Sequence, residues 1–149
     1  MIIADTCLVV HLFNETELTE KAQEILAIDP EWILPTLWRE EYANVLSKKA
    51  RKEQKESSEV IEFLTFTINE LKHCEHHVEI QKALQISIEK KISVYDAHFV
   101  ALAERFESLL ITEDQEVIKK RPAIAMRMED FILHHKTKKS RVISRKNTQ

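Results

Sequence analysis

The chain has 149 residues, 44% hydrophobic and 32% charged, as expected of one globular domain that buries roughly two-thirds of its unfolded surface. It contains no glycine. Without glycine's backbone freedom and missing side chain, neither a GxGxxG dinucleotide fingerprint nor a GxxxxGK[ST] phosphate loop is available. The net charge of −3 divides unevenly: residues 134–149 hold six Lys/Arg and no acid, so the 133 residues before them carry 16 basic and 25 acidic side chains. An acidic body with a basic tail suits a protein that meets nucleic acid, and equally a chain with a solvated tail.

In chain order, "MIIAD" reads as a short buried strand ending in Asp5, and "TCLVVHLF" as a helix with Thr6 as its N-cap. "TELTEKAQEILAI" places Leu18, Ala22, Ile25 and Leu26 on one helical face. "EWILP" is a second strand, stopped by Pro35. "TLWREEYANVLSKKARKEQ" and "SSEVIEFLTFTINELKH" are helices, the latter starting at the Ser57/Ser58 caps. "HVEIQKALQISIEKK" has helical spacing, and Ser93 with Asp96 forms a capping box ahead of another helix. "ESLLITED" is a third strand, and "AIAMRMEDFIL" a fourth that runs into a short final helix. Short apolar strands alternating with helices predict an α/β fold, a three-layer α/β/α sandwich around a parallel sheet of four to five strands. No apolar run reaches the roughly 20 residues that span a bilayer, the start lacks a signal peptide's basic region, and Cys7 and Cys74 are too few for a disulfide framework. The expectation is a cytoplasmic protein without a membrane segment.

Sites in parallel sheets form at the carboxyl ends of strands. Asp5 ends the first strand and Asp114 the third, with Thr112 on the same side as Asp114; Asp96 lies in the first turn of its helix. Taken singly, these acids are explained as turn residues and a cap. Glu41 carries a sharper signal. On a helical wheel with Leu37 at zero, Glu41 falls at about 40°, inside the apolar arc of Leu37, Trp38, Tyr42, Val45 and Leu46, whereas Glu40 falls at about 300°, outside it. A carboxylate facing a core is costly unless paired or bound to a cation. Asp5, Glu41, Asp96 and Asp114 can thus meet at one end of the sheet, where they would repel without a counter-charge. Oxygen-only donors favour Mg²⁺ or Mn²⁺.

Four ordered motifs resemble those of PIN-domain nucleases, most closely the small VapC-type toxins of toxin–antitoxin pairs: "IIADTCLVVHLF", "LWREEYANVL", "SVYDAHFVALAE" and "LLITED". The resemblance covers residues 1–133 and leaves 134–149 as a basic C-terminal tail. It implies that Asp5, Glu41, Asp96 and Asp114 are catalytic metal ligands, with Thr6, Asn44 and Thr112 as supporting polar residues. It further implies Mg²⁺- or Mn²⁺-dependent endoribonuclease activity on RNA, an antitoxin protein as partner, and a homodimer. The alternatives are a housekeeping RNA-processing nuclease and a catalytically silent RNA- or protein-binding domain.

Three further signals compete for attention. "HCEHH" (73–77) crowds potential zinc ligands without a second half and reads as a solvated polar segment. His98 lies two helical positions past Asp96 and so points elsewhere. Lys48, Lys49, Arg51 and Lys52, with Lys138, Lys139 and Arg141 of the tail, are candidates for gripping phosphates, although cations also suit a helix C-terminus.

Overall fold

The computed structural model describes residues 1–146, with side chains as far as Lys138; Lys139 and Arg141 therefore lie outside the described side chains. The strands are short: β1 (Ile2–Ala4), β2 (Trp32–Pro35), β3 (Glu75–His76), β4 (Leu110–Ile111) and β5 (Ala125–Met126). They form one five-stranded sheet in the order β3-β2-β1-β4-β5, with every pairing parallel. Between and after them run α1 (Thr6–Phe13), α2 (Thr19–Ile28), α3 (Trp38–Glu53), α4 (Ser57–Leu71), α5 (Ile80–Lys90), α6 (Val94–Phe106), α7 (Gln115–Lys120) and α8 (Met128–Lys146). No helix among the described residues is long and apolar enough to cross a membrane.

Because successive strand residues point to opposite faces, β1, β2, β4 and β5 each serve two cores. Ile2, Ala4, Trp32, Leu34 and Ile111 face one side, against α1, α2, α3, α4 and the start of α8. Ile3, Ile33 and Leu110 face the other, against α5, α6 and α7. This is the α/β/α sandwich expected from the alternation of apolar runs. The order reverses between β1 and β4, so the loops after those two strands diverge and leave a crevice at their carboxyl ends.

Three readings of the sequence change. Thr6 is the first residue of α1, and Asp5 is its cap, accepting a hydrogen bond from the Thr6 N–H. The "HCEHH" segment is not simply solvated: it forms a 3₁₀ turn and the edge strand β3, Cys74 is buried, and Leu34 and Pro35 of β2 pair with Glu75 and His76. The final helix is not short; α8 runs through 19 residues, with Phe131 and Ile132 in the core and residues 133–138 exposed.

Lacking glycine, the chain ends three helices on other residues in the left-handed region: Gln54 (φ 53°) after α3, Lys91 (φ 55°) after α5 and Glu107 (φ 49°) after α6. Each is the position where glycine avoids the clash between Cβ and the neighbouring carbonyl.

Candidate active site

All four predicted acids sit at helix N-termini. Asp5 caps α1, Asp114 caps α7, and Glu41 and Asp96 lie in the first turns of α3 and α6. The positive end of each helix dipole favours a carboxylate there, so the architecture offsets part of the repulsion among them.

Two buried threonines tie three of these acids together. The Thr112 hydroxyl donates to Asp5 Oδ2 and accepts from the Asp114 N–H at 3.0 Å. Asp5 Oδ1 accepts from the Thr6 N–H at 2.6 Å, and the Thr6 hydroxyl donates to Glu41 Oε2. Hydrogen bonds thus run from the end of β4 through the end of β1 to α3. Asp5, Asp96 and Thr112 also line one small depression, floored by Phe99, Leu110 and Val117. Asp96 makes one half of the expected capping box: its N–H donates to Ser93 Oγ at 3.0 Å, while its Oδ2 accepts from that hydroxyl at 2.6 Å and not from the Ser93 backbone N–H. Asp114 Oδ1 accepts from the N–H groups of Glu116 and Val117, at 2.8 and 3.0 Å.

Burial sets the electrostatics. It pushes the Asp5 carboxyl above its ordinary value, against hydrogen bonds from Thr112, Cys7 and Thr6, and the charge of Asp96 adds to the rise. Glu41 is pushed up to about 7, first by burial and then by the charges of Asp5, Asp96 and Glu40, with the Thr6 hydrogen bond opposing. Burial likewise raises Asp96, and the charges of Asp114 and Glu116 raise it further, while its bonds from Ser93 hold it back. Each of these three carboxyls is thus raised further by at least one neighbouring carboxylate.

The donor set is hard oxygen throughout, which fits Mg²⁺ or Mn²⁺ and not a soft metal. Among the described residues no three His, Cys, Asp or Glu side chains are gathered into a ready-made cage. Mg²⁺ does not require one, because it keeps several of its waters and is bound through one or two carboxylates plus substrate phosphate.

The remaining candidates fall elsewhere. Asn44 is exposed, one helical turn beyond Glu41 on α3. Lys48, Lys49, Arg51 and Lys52 occupy the far half of α3; Lys49 pairs with Glu53 at 3.9 Å and Arg51 donates to Ser47 Oγ at 3.0 Å. Lys138 is exposed on α8. In the histidine-rich segment, His76 packs edge-on against Phe106 and His77 faces Glu79, so the donors serve different neighbours.

Several contributors escaped the sequence reading. The Cys7 thiol stands beside Asp5, and burial together with the Asp5 charge pushes it well above its ordinary value. Glu75 accepts from Trp38 Nε1 at 2.7 Å and from Arg39 Nε and Nη2 at 2.6 Å each, which fixes the start of α3 to the edge strand. No local pattern announces that contact across 36 residues. Glu113 Oε1 accepts from the Met128 N–H at 3.0 Å and its Oε2 from Arg127 Nε at 3.1 Å, which ties the β4–α7 loop to the start of α8.

Residues 2–122 match the PIN domain family. The chain is 29% identical over 126 residues to the protein named Ribonuclease VapC3 of Pyrobaculum aerophilum, an alignment covering 83% of this chain and 96% of that one. Its fold is similar to a crystal structure of a Pyrobaculum aerophilum protein (TM-score 0.66, 18% identity, 91% of this chain and 96% of that chain). It is also similar to a toxin–antitoxin complex from Klebsiella pneumoniae (TM-score 0.53, 17% identity, 86% and 98%). With four ordered acids at the carboxyl end of a parallel sheet and a family match across most of its length, the chain belongs to the PIN domain family.

Proposed function

We propose that this protein is a metal-dependent endoribonuclease that hydrolyses RNA phosphodiester bonds. The observation that carries the reading is the gathering of four carboxyl groups at the switch point, with Asp5 and Glu41 held by the buried Thr112 and Thr6 hydroxyls and Asp5, Glu41 and Asp96 raised by burial and by neighbouring carboxylates. Asp5, Glu41, Asp96 and Asp114 would hold Mg²⁺ or Mn²⁺. When bound, such an ion polarises a phosphoryl oxygen and lowers the pKa of a water to make a nucleophile. The chain's own part is positioning: Thr112 and the Thr6 N–H fix the Asp5 carboxylate, the Thr6 hydroxyl orients Glu41, and the caps of α6 and α7 set Asp96 and Asp114.

The test is cleavage of a mixed-sequence RNA with and without Mg²⁺ or Mn²⁺. Asp5→Ala, Glu41→Gln and Asp114→Asn should each lower the rate at least about 100-fold. Glu62→Gln, an exposed acid on α4, should leave it unchanged. Metal-independent cleavage, or equal loss in the control, overturns the reading.

The toxin role and an antitoxin partner extend the likeness to the VapC relative. Expression that arrests growth, relieved by a small protein encoded beside the gene, tests both. A homodimer is supported by α5, where Ile80, Leu84 and Ile88 recur every fourth residue and remain 56%, 50% and 70% exposed. Such a stripe marks an interaction face. Leu84→Glu should convert a dimer to a monomer by light scattering, and a wild-type protein that is monomeric at all concentrations overturns the assignment.

A further inference from the structure

A second depression opens beside the acids, next to the carboxyl ends of β2 and β3. Its volume is about 310 Å³, at the small end of the range in which proteins hold small ligands. Glu40, Glu79, His77, His98 and Thr36 supply its polar groups, and Leu37 and Val78 part of its apolar wall. Two helices join it to the acid centre. Glu40 adjoins Glu41 on α3 and raises that carboxyl through its charge, and His98 stands two residues beyond Asp96 on α6.

The pocket is rich in acceptors. His98 Nδ1 donates to the Val94 carbonyl oxygen at 2.8 Å, which fixes the orientation of the ring at the pocket wall. Glu40 is exposed, with a carboxylate that only accepts. His77 Nε2 lies 3.3 Å from Glu79 Oε1. Two carboxylates repel a phosphate, so the RNA backbone does not suit this place. A flat group with apolar faces and N–H donors along its edge does.

We infer that this pocket is a nucleobase subsite that selects guanine near the bond to be cleaved; its ligand class rests on the ribonuclease reading above. Guanine offers N1–H and N2–H₂ side by side, a match for the two oxygens of one carboxylate. Adenine and cytosine set an amino group beside an acceptor nitrogen, and uracil sets one N–H between two carbonyls, so each leaves an acceptor facing Glu40. Glu40 takes the paired donors, and Leu37 and Val78 cover the ring.

The test uses the full-length protein with divalent metal chelated, titrated with the four nucleoside 5′-monophosphates by calorimetry or ligand-observed NMR. The phosphate is common to all four, so differences report the base. GMP should bind saturably with a Kd at least about tenfold below that of UMP. Glu40→Gln, an exposed substitution whose folding is checked by its melting temperature, should erase that preference. Equal affinity for all four, no saturable binding, or a preference intact in Glu40→Gln overturns the subsite. Because binding is read without metal, the two readings fail separately. A GMP preference without metal-dependent RNA cleavage retires the nuclease assignment alone. Cleavage with no base preference retires the subsite alone.

Discussion

Glu41 shows how one side chain can be read from sequence and then tested by pH. Its place inside the apolar arc of α3 separated it from Glu40, and the structure agrees: Glu41 is half-buried on the Thr6 hydroxyl while Glu40 is exposed. The role of Thr6 was less legible, because a threonine at the start of a helix looks like a cap and only the fold shows that Asp5 takes that position. Glu41 rises from 4.5 to about 7 on folding, so its contribution to stability is fully present below pH 4.5 and is lost as pH rises through about 7. In metal-free protein, Glu41→Gln should therefore gain more at pH 8 than at pH 5. After allowance for the part of the carboxyl that faces water, the difference is on the order of 1–2 kcal/mol in urea unfolding. Millimolar Mg²⁺ should raise the wild-type melting temperature more at pH 8 than at pH 6, since a ligand carboxyl must first lose its proton. Melting temperatures unaffected by Mg²⁺ at either pH would remove the metal from the picture.

At the scale of elements, strands with both faces buried were legible as short apolar runs, and helices as amphipathic repeats. β3 was not, because Glu75–His76 is a two-residue polar edge strand defined by its pairing with β2. The full length of α8 was hidden for a related reason: charged residues on exposed helical positions look the same as charged residues in a tail. β3 matters to the site through Glu75, whose carboxylate serves Trp38 and Arg39 at the start of the helix that carries Glu41. Arg39 is 40% exposed and its ion pair is screened, so the larger cost of losing Glu75 is the indole N–H of fully buried Trp38, left without an acceptor. Glu75→Ala should destabilise the fold by about 2 kcal/mol in urea unfolding with an unchanged m-value. A loss below about 0.5 kcal/mol would show that the start of α3 is held by packing alone.

For the molecule as a whole, the sequence led to the layers and to the end of the sheet where the acids gather. It did not contain the strand order, which is decided by pairing between segments far apart in the chain. The basic end of the chain is the other whole-molecule feature. Among the described side chains of α8, Phe131 and Ile132 are the last in the core, and Lys136 meets Glu24 at 3.0 Å through exposed side chains, an ion pair worth at most about 1 kcal/mol. Truncation after Leu133 should thus leave the melting temperature nearly unchanged. If the tail grips RNA, truncation should also flatten the dependence of RNA affinity on salt, by roughly 0.7 in log–log slope for each phosphate the tail had neutralised. An unaltered slope would assign these cations to solubility or to an acidic protein partner.

The three left-handed helix ends at Gln54, Lys91 and Glu107 have a consequence for the chain before it folds. Every residue here carries a Cβ, so the unfolded ensemble is stiffer than that of an ordinary sequence and has less backbone freedom to surrender. The native state accepts strain at three turns, while the denatured state starts from a narrower set of conformations. The two effects oppose each other in the folding equilibrium, and a stretch of random coil from this protein should be less compliant than its length alone suggests.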